Sequence, residues 1–229
     1  IDTKAPTVTD VTASDSLITD ADTGAAKLSV AVTFSEAMDT TATPSLTLSP
    51  AVDSSVTFAS GSWNAGGTVY TAVYDVTDAN VDVNAVTVGV SGAKDVAGNA
   101  QQSYTAATEF EIDTLNPTAT ISLSDSALKI GETATVTITF SEAVSWFSLD
   151  DLSSPNGVLS NLSGETVNGD GTVSYTATFT PNSIVEAATN VVSLATSYTD
   201  VAGNTGTVAA SANYAIDTKA PVVNIKFVN

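Results

Sequence analysis

The chain has 229 residues, no cysteine, no histidine and a formal net charge of −19, its six basic residues all lysine against 25 acidic ones. This excludes disulfides, thiolate and imidazole metal sites and histidine-based general base chemistry. It also argues against nucleic acid or anionic membrane surfaces as partners. Hydrophobic residues make up 43% of the chain, but no run reaches the roughly 20 apolar residues of a membrane span, so direct membrane insertion is not expected.

In chain order, IDT at positions 1–3 precedes a proline at Pro6. TDADTG around Asp20 is a turn cluster. KLSVAVTF then places Leu28, Val30, Val32 and Phe34 on one face, the period-two pattern of a half-buried strand. The strand runs into TFSEA at 33–37. After the NAGG turn at 64–67, VYTAVYDV puts Tyr70, Ala72, Tyr74 and Val76 on one face. DVAGN follows at 95–99, and IDT returns at 112–114, again ahead of a proline.

The second half repeats the series. TATVTITF matches the first strong strand, TFSEA recurs at 139–143, SYTATFT matches the tyrosine strand, DVAGN recurs at 200–204 and IDT at 216–218. The spacing of about 105 residues is too long for a solenoid unit and right for a whole domain. The expected organisation is one domain over 1–113, a second over 114–217, and a linker with the start of a third repeat over 218–229. The chain starts and stops inside the repeat motif, which suggests a piece of something longer. Many short strands within each repeat predict an all-β fold, with tandem immunoglobulin-like β-sandwich domains arranged end to end. No helical apolar stripe is present, although IVEAATN near Ile184 could form a single turn. Trp63 falls in a turn cluster and Trp146 just after SEAV; both read as core or edge packing.

In such a sandwich the entry segment, the loop after the TFSEA strand and the loop before the last strand meet at one pole. That gathers Asp2, Glu36 and Asp95 in the first domain and Asp113, Glu142 and Asp200 in the second, with Asp217 opening a third set. Carboxylates so placed repel one another unless a cation lies between them. Ca2+, which takes oxygen ligands in flexible geometry, suits the set. The glycine of DVAGN would adopt positive φ. The same letters are also ordinary turn formers, and that alternative stands beside the metal reading. A second acidic group, Asp15, Asp20, Asp22, Asp78 and Asp82, is expected at the opposite pole of the first domain, where TDADTG echoes the start of a calcium loop without its later glutamate.

With IDT-x-x-P, TFSEA, an aromatic strand and DVAGN in order, each repeat resembles the bacterial Ig-like domains that form tandem arrays in large surface adhesins, including RTX-type biofilm and ice-binding adhesins. The resemblance implies a non-enzymatic, monomeric extender at the bacterial cell surface, with calcium at the linkers and neighbouring repeats of the same chain as its partners. Its linker ligands would be Asp2, Glu36 and Asp95, then Asp113, Glu142 and Asp200, with Asp217 starting a third set. A glycan- or protein-binding module, for which Trp63, Tyr70 and Tyr74 are the candidate surface, and an accessory domain of a secreted enzyme are the alternatives.

Overall fold

A computed structural model describes residues 1–226 and divides the chain into two compact units, Ile1–Leu115 and Asn116–Asn229. The last residues of the expected third-repeat start, 227–229, lie outside the described residues.

In the first unit the strands are β1 (Val8–Ala13), β2 (Leu17–Ile18), β3 (Gly24–Phe34), β4 (Ser45–Ser49), β5 (Val56–Trp63), β6 (Val69–Val76), β7 (Asp82–Ser91) and β8 (Thr108–Asp113). They form two four-stranded sheets, ordered β1-β3-β6-β5 and β2-β8-β7-β4. All neighbours are antiparallel except β2 and β8, which run parallel. The alternation in the sequence is realised directly. Leu28, Val30, Val32 and Phe34 of β3 and Tyr70, Ala72, Tyr74 and Val76 of β6 are buried, and they meet Val86, Val88, Phe110 and Ile112 of the facing sheet.

The second unit holds β9 (Ala119–Leu123), β10 (Ala127–Lys129), β11 (Ala134–Phe140), β12 (Val144–Ser145), β13 (Leu152–Ser153), β14 (Gly157–Ser160), β15 (Thr166–Val167), β16 (Val173–Pro181), β17 (Glu186–Asn190), β18 (Ser193–Leu194), β19 (Thr199–Asp200), β20 (Ala209–Ala210) and β21 (Tyr214–Asp217). Its main sheet runs β14-β16-β11-β9, with β15 also on β16, and β10-β21-β17 is a three-stranded sheet. Phe140 is fully buried, with its ring centroid 4.9 Å from that of Phe147 and 5.0 Å from that of Tyr198. Neither buried core cluster includes a residue of the other unit.

Three local expectations are corrected. IVEAATN makes no helical turn; it enters β17, because Ala187 and Asn190 pair with Ile216 and Tyr214 of β21. Trp63 belongs to the end of β5 rather than to a turn, stacked between Phe34 and Tyr70, and its indole N–H donates to Ala42 O at 3.1 Å. Trp146 does not pack at all. It is 85% exposed, at φ 66°.

Phe140→Ala is expected to cost about 3–5 kcal/mol, the range for truncating a buried aromatic. Because the first core shares no residue with the second, calorimetry should show one transition lowered and the other unmoved.

Burial, with the nearby Tyr70 adding, pushes the Tyr74 phenol up to about 12, and burial, with Glu165 adding, does the same for Tyr175. A folded-state value above that of the unfolded chain contributes stability that is whole below pH ~10 and is lost as pH rises towards 12. Ultraviolet titration should show these phenols ionising together with alkaline unfolding, not near pH 10.

A carboxylate pole built from three repeated motifs

The two repeated motifs meet through one backbone pairing. Met38, two residues after Glu36, pairs with Asp95 in an antiparallel bridge. In the second unit Val144, two residues after Glu142, pairs with Asp200. The bridge thus draws the bend that carries each glutamate up to the aspartate that opens DVAGN.

That aspartate is held by its own loop. Asp95 is 2% exposed; its Oδ1 accepts from Asn99 N at 2.8 Å and its Oδ2 from Asn99 Nδ2 at 2.7 Å. Asp200 is 1% exposed and is bound in the same way, by Gly203 N at 2.6 Å, Asn204 N at 2.8 Å and Asn204 Nδ2 at 2.8 Å. For Asp95, desolvation raises the pKa, but hydrogen bonds from Asn99, Gly98 and Ala97 together outweigh it and hold the carboxyl below its ordinary value. The carboxylate therefore stays ionised at neutral pH. The loop can close this tightly because Gly98 and Gly203 sit at φ 92° and 97°, where a residue with a Cβ is strained.

In the first unit the entry segment completes the pole. Asn99 Nδ2 also donates to Asp2 O at 3.3 Å, Gln102 N to Pro6 O at 2.8 Å, and Ser35 N to Thr7 O at 2.9 Å. Asp2, Glu36 and Asp95 thereby offer carboxylate oxygens that all lie within 4.8 Å of one another. Glu36 Oε1 is shut off from solvent and has no hydrogen-bond partner among the described residues; its nearest cation is Lys4 Nζ, at the outer limit of an ion pair, 3.9 Å. A shielded carboxylate oxygen without a donor, facing two further carboxylates, fits a bound cation.

The second unit repeats the frame. Ser141 N donates to Thr118 O, Thr207 N to Pro117 O, and Asn116 Nδ2 to Thr205 O at 2.9 Å. Glu142 and Asp200 offer oxygens within 4.8 Å of each other. Asp113 ends β8, where its Oδ1 accepts from Leu115 N at 3.3 Å.

The other acidic residues named from the sequence form no such group. Asp15 Oδ1 accepts from Leu17 N, Asp22 Oδ2 caps Thr19 in a short 3-10 turn that also contains Asp20, and Asp78 Oδ1 accepts from Asn80 N. Asp82 begins β7 opposite Asp113. Among the described residues no three of this set, and none including Asp217, come within ligand distance of one another. Asp217 Oδ1 instead accepts from Lys219 N. The sequence reading missed the asparagine that closes DVAGN, which it took for a turn former. Its recurrence as Asn99 and Asn204 was the available signal, because a turn alone does not require the same amide twice.

Gly98→Val and Gly203→Val test the loop. A Cβ at either position meets nothing within 4 Å, so the expected loss, about 1–3 kcal/mol, is backbone strain alone, and denaturant melts should show it without a change in core packing.

Several solved structures are similar to this chain. One is that of FdeC, an Escherichia coli adhesin, at 17% identity over 94% of this chain and 63% of that one, with a TM-score of 0.41. Another is that of the Yersinia pseudotuberculosis adhesin InvE, at 14% identity over 91% of this chain and 58% of that one, with a TM-score of 0.35. The chain thus spans less than two thirds of either. Among curated proteins none matches it. The second repeat carries a family match: residues 113–216 fit the model of a bacterial Ig-like domain.

Proposed function

We propose that this chain is a structural extender segment of a bacterial cell-surface adhesin, of the RTX type that its motifs resemble. Calcium bound at the pole of each repeat stiffens the array so that it projects a distal ligand-binding region outward. The observation that carries the reading is the carboxylate pole of the first unit, where Asp2, Glu36 and Asp95 converge and Glu36 Oε1 lacks a donor. Asp113 stands to Glu142 and Asp200 as Asp2 does to Glu36 and Asp95 in the repeat, and it takes the same part. Asp217 then opens the set for a following domain.

The physical argument is differential affinity. A cation that bridges the entry segment to the pole stabilises the arrangement in which both are engaged and leaves detached states without that contribution. With free calcium about a thousandfold above its dissociation constant the bridged arrangement gains roughly 4 kcal/mol. Folding of each sandwich does not depend on the ion, because the buried apolar cores supply most of the stability. The partners are then calcium and neighbouring repeats of the same chain, the location is extracellular, and the chain works as a monomer without catalysis.

Isothermal titration calorimetry with Ca2+ tests this. Glu36→Gln should remove one binding event and Glu142→Gln another, with the far-ultraviolet spectrum and both thermal transitions retained in calcium-free buffer. Unchanged stoichiometry in both variants would show that the repeated acidic motifs serve only as turns.

A further inference from the structure

Away from the carboxylate pole, the first unit contains a cleft of 660 Å³ between the edge strands of its two sheets. Leu46 and Leu48 of β4 line one wall; Val56, Phe58 and Gly61 of β5 line the other. The bond from the Trp63 indole to Ala42 O spans the two edges at one end, and the turn in which Ser55 N and Val56 N donate to Val52 O closes the other. On its inner side lie Tyr70, Ala72 and Tyr74.

Two observations make this more than an apolar gap. Tyr70 and Tyr74 are 2% and 4% exposed, yet neither hydroxyl bonds to any other described residue; burial and their mutual proximity alone act on them. The two oxygens are not among the polar atoms shut off from solvent; they open into the cleft, where a ligand's donor can reach them. The small residues Gly61 and Ala72, paired across β5 and β6, keep the space open: a Cβ at Gly61 would stand 1.9 Å from the Tyr70 hydroxyl.

The second repeat has no such phenol at either matching position. Tyr175, the counterpart of Tyr70, donates its hydroxyl to Glu165 Oε2 at 3.0 Å, and the counterpart of Tyr74 is Phe179, fully buried and without a hydroxyl. The edge there is broken into β14 and β15, whereas β5 is a single edge strand with one bulge between Phe58 and Ser60, with residues 57–62 exposed and no lysine or proline to discourage pairing.

The one carboxylate lining the cleft is that of Asp53. A second copy of this chain, itself at −19, is repelled; a cationic strand is attracted. We infer that β5 accepts an extended peptide segment of a partner protein, paired along its free edge, which inserts a lysine or arginine side chain into the cleft. The methylene stem lies along Leu46, Leu48 and Val56, and the head donates to the phenol oxygens of Tyr70 and Tyr74 and to Asp53. Backbone pairing supplies affinity and the cleft supplies selectivity. The inference does not depend on calcium.

The probe is an octapeptide alternating threonine and valine with one central lysine, titrated into the full 229-residue chain and followed by amide chemical shifts. Shifts confined to residues 57–62 and the cleft are expected. Replacing the lysine by norleucine, or N-methylating the peptide backbone, should weaken binding at least tenfold. Tyr70→Phe with Tyr74→Phe, which keeps both rings, and separately Asp53→Asn, should weaken the lysine peptide and leave the norleucine peptide unaffected. Equal binding of the lysine and norleucine peptides, or shifts spread over the acidic surface and abolished by salt, overturns the inference. Shifts along β5 that grow with protein concentration without peptide also overturn it, by making a second copy the occupant.

Discussion

The pole of each unit depends on a backbone bridge: Met38 to Asp95 in the first, Val144 to Asp200 in the second. Without it, the segment leaving the central strand and the loop approaching the last strand would be separate surface loops. With it, a glutamate and a buried aspartate lie side by side. Each aspartate would be costly to bury were its oxygens not answered by the amides of the loop that it opens. Asn99 and Asn204 therefore close the loop and answer the oxygens of the aspartate that opens it.

That arrangement separates stability from ligand chemistry. Asp95 and Asp200 are already satisfied by donors of their own chain, so the fold keeps them whether or not an ion is near. Glu36 differs, because its shielded Oε1 has only a distant lysine as counter-charge, and a surface pair of that length contributes little. A cation held there adds to a frame that is already folded.

The two repeats share this frame and diverge elsewhere, most clearly on the β5 side of the first unit. One position holds a phenol with no partner in the first repeat and a phenol bonded to Glu165 in the second; another changes from Tyr74 to Phe179. Replicated modules under a common structural constraint keep the residues that close the pole. The sheet edges are free to vary, and one copy can acquire a contact surface without affecting its neighbour's core.

The alternation in KLSVAVTF and VYTAVYDV, the repeat of about 105 residues and the recurrence of IDT, TFSEA and DVAGN were enough by themselves to determine an all-β chain and to point to the carboxylates of Asp2, Glu36 and Asp95 that converge in the first unit. These are periodic, local signals, and a half-buried strand writes its burial into every second residue. The tertiary structure alone decided the rest. Asp15, Asp22 and Asp78 accept local bonds, Asp20 lies in a 3-10 turn and Asp82 begins a strand, because an aspartate in a turn and an aspartate that joins a carboxylate cluster have the same local sequence chemistry. Trp63 became core while Trp146 became surface, since long-range packing, not neighbours in sequence, determines which side of a chain is covered. The partnerless phenols of Tyr70 and Tyr74 were equally hidden: a hydroxyl's partner, or the lack of one, depends on which strand ends as an edge, and no stretch of sequence carries that information alone.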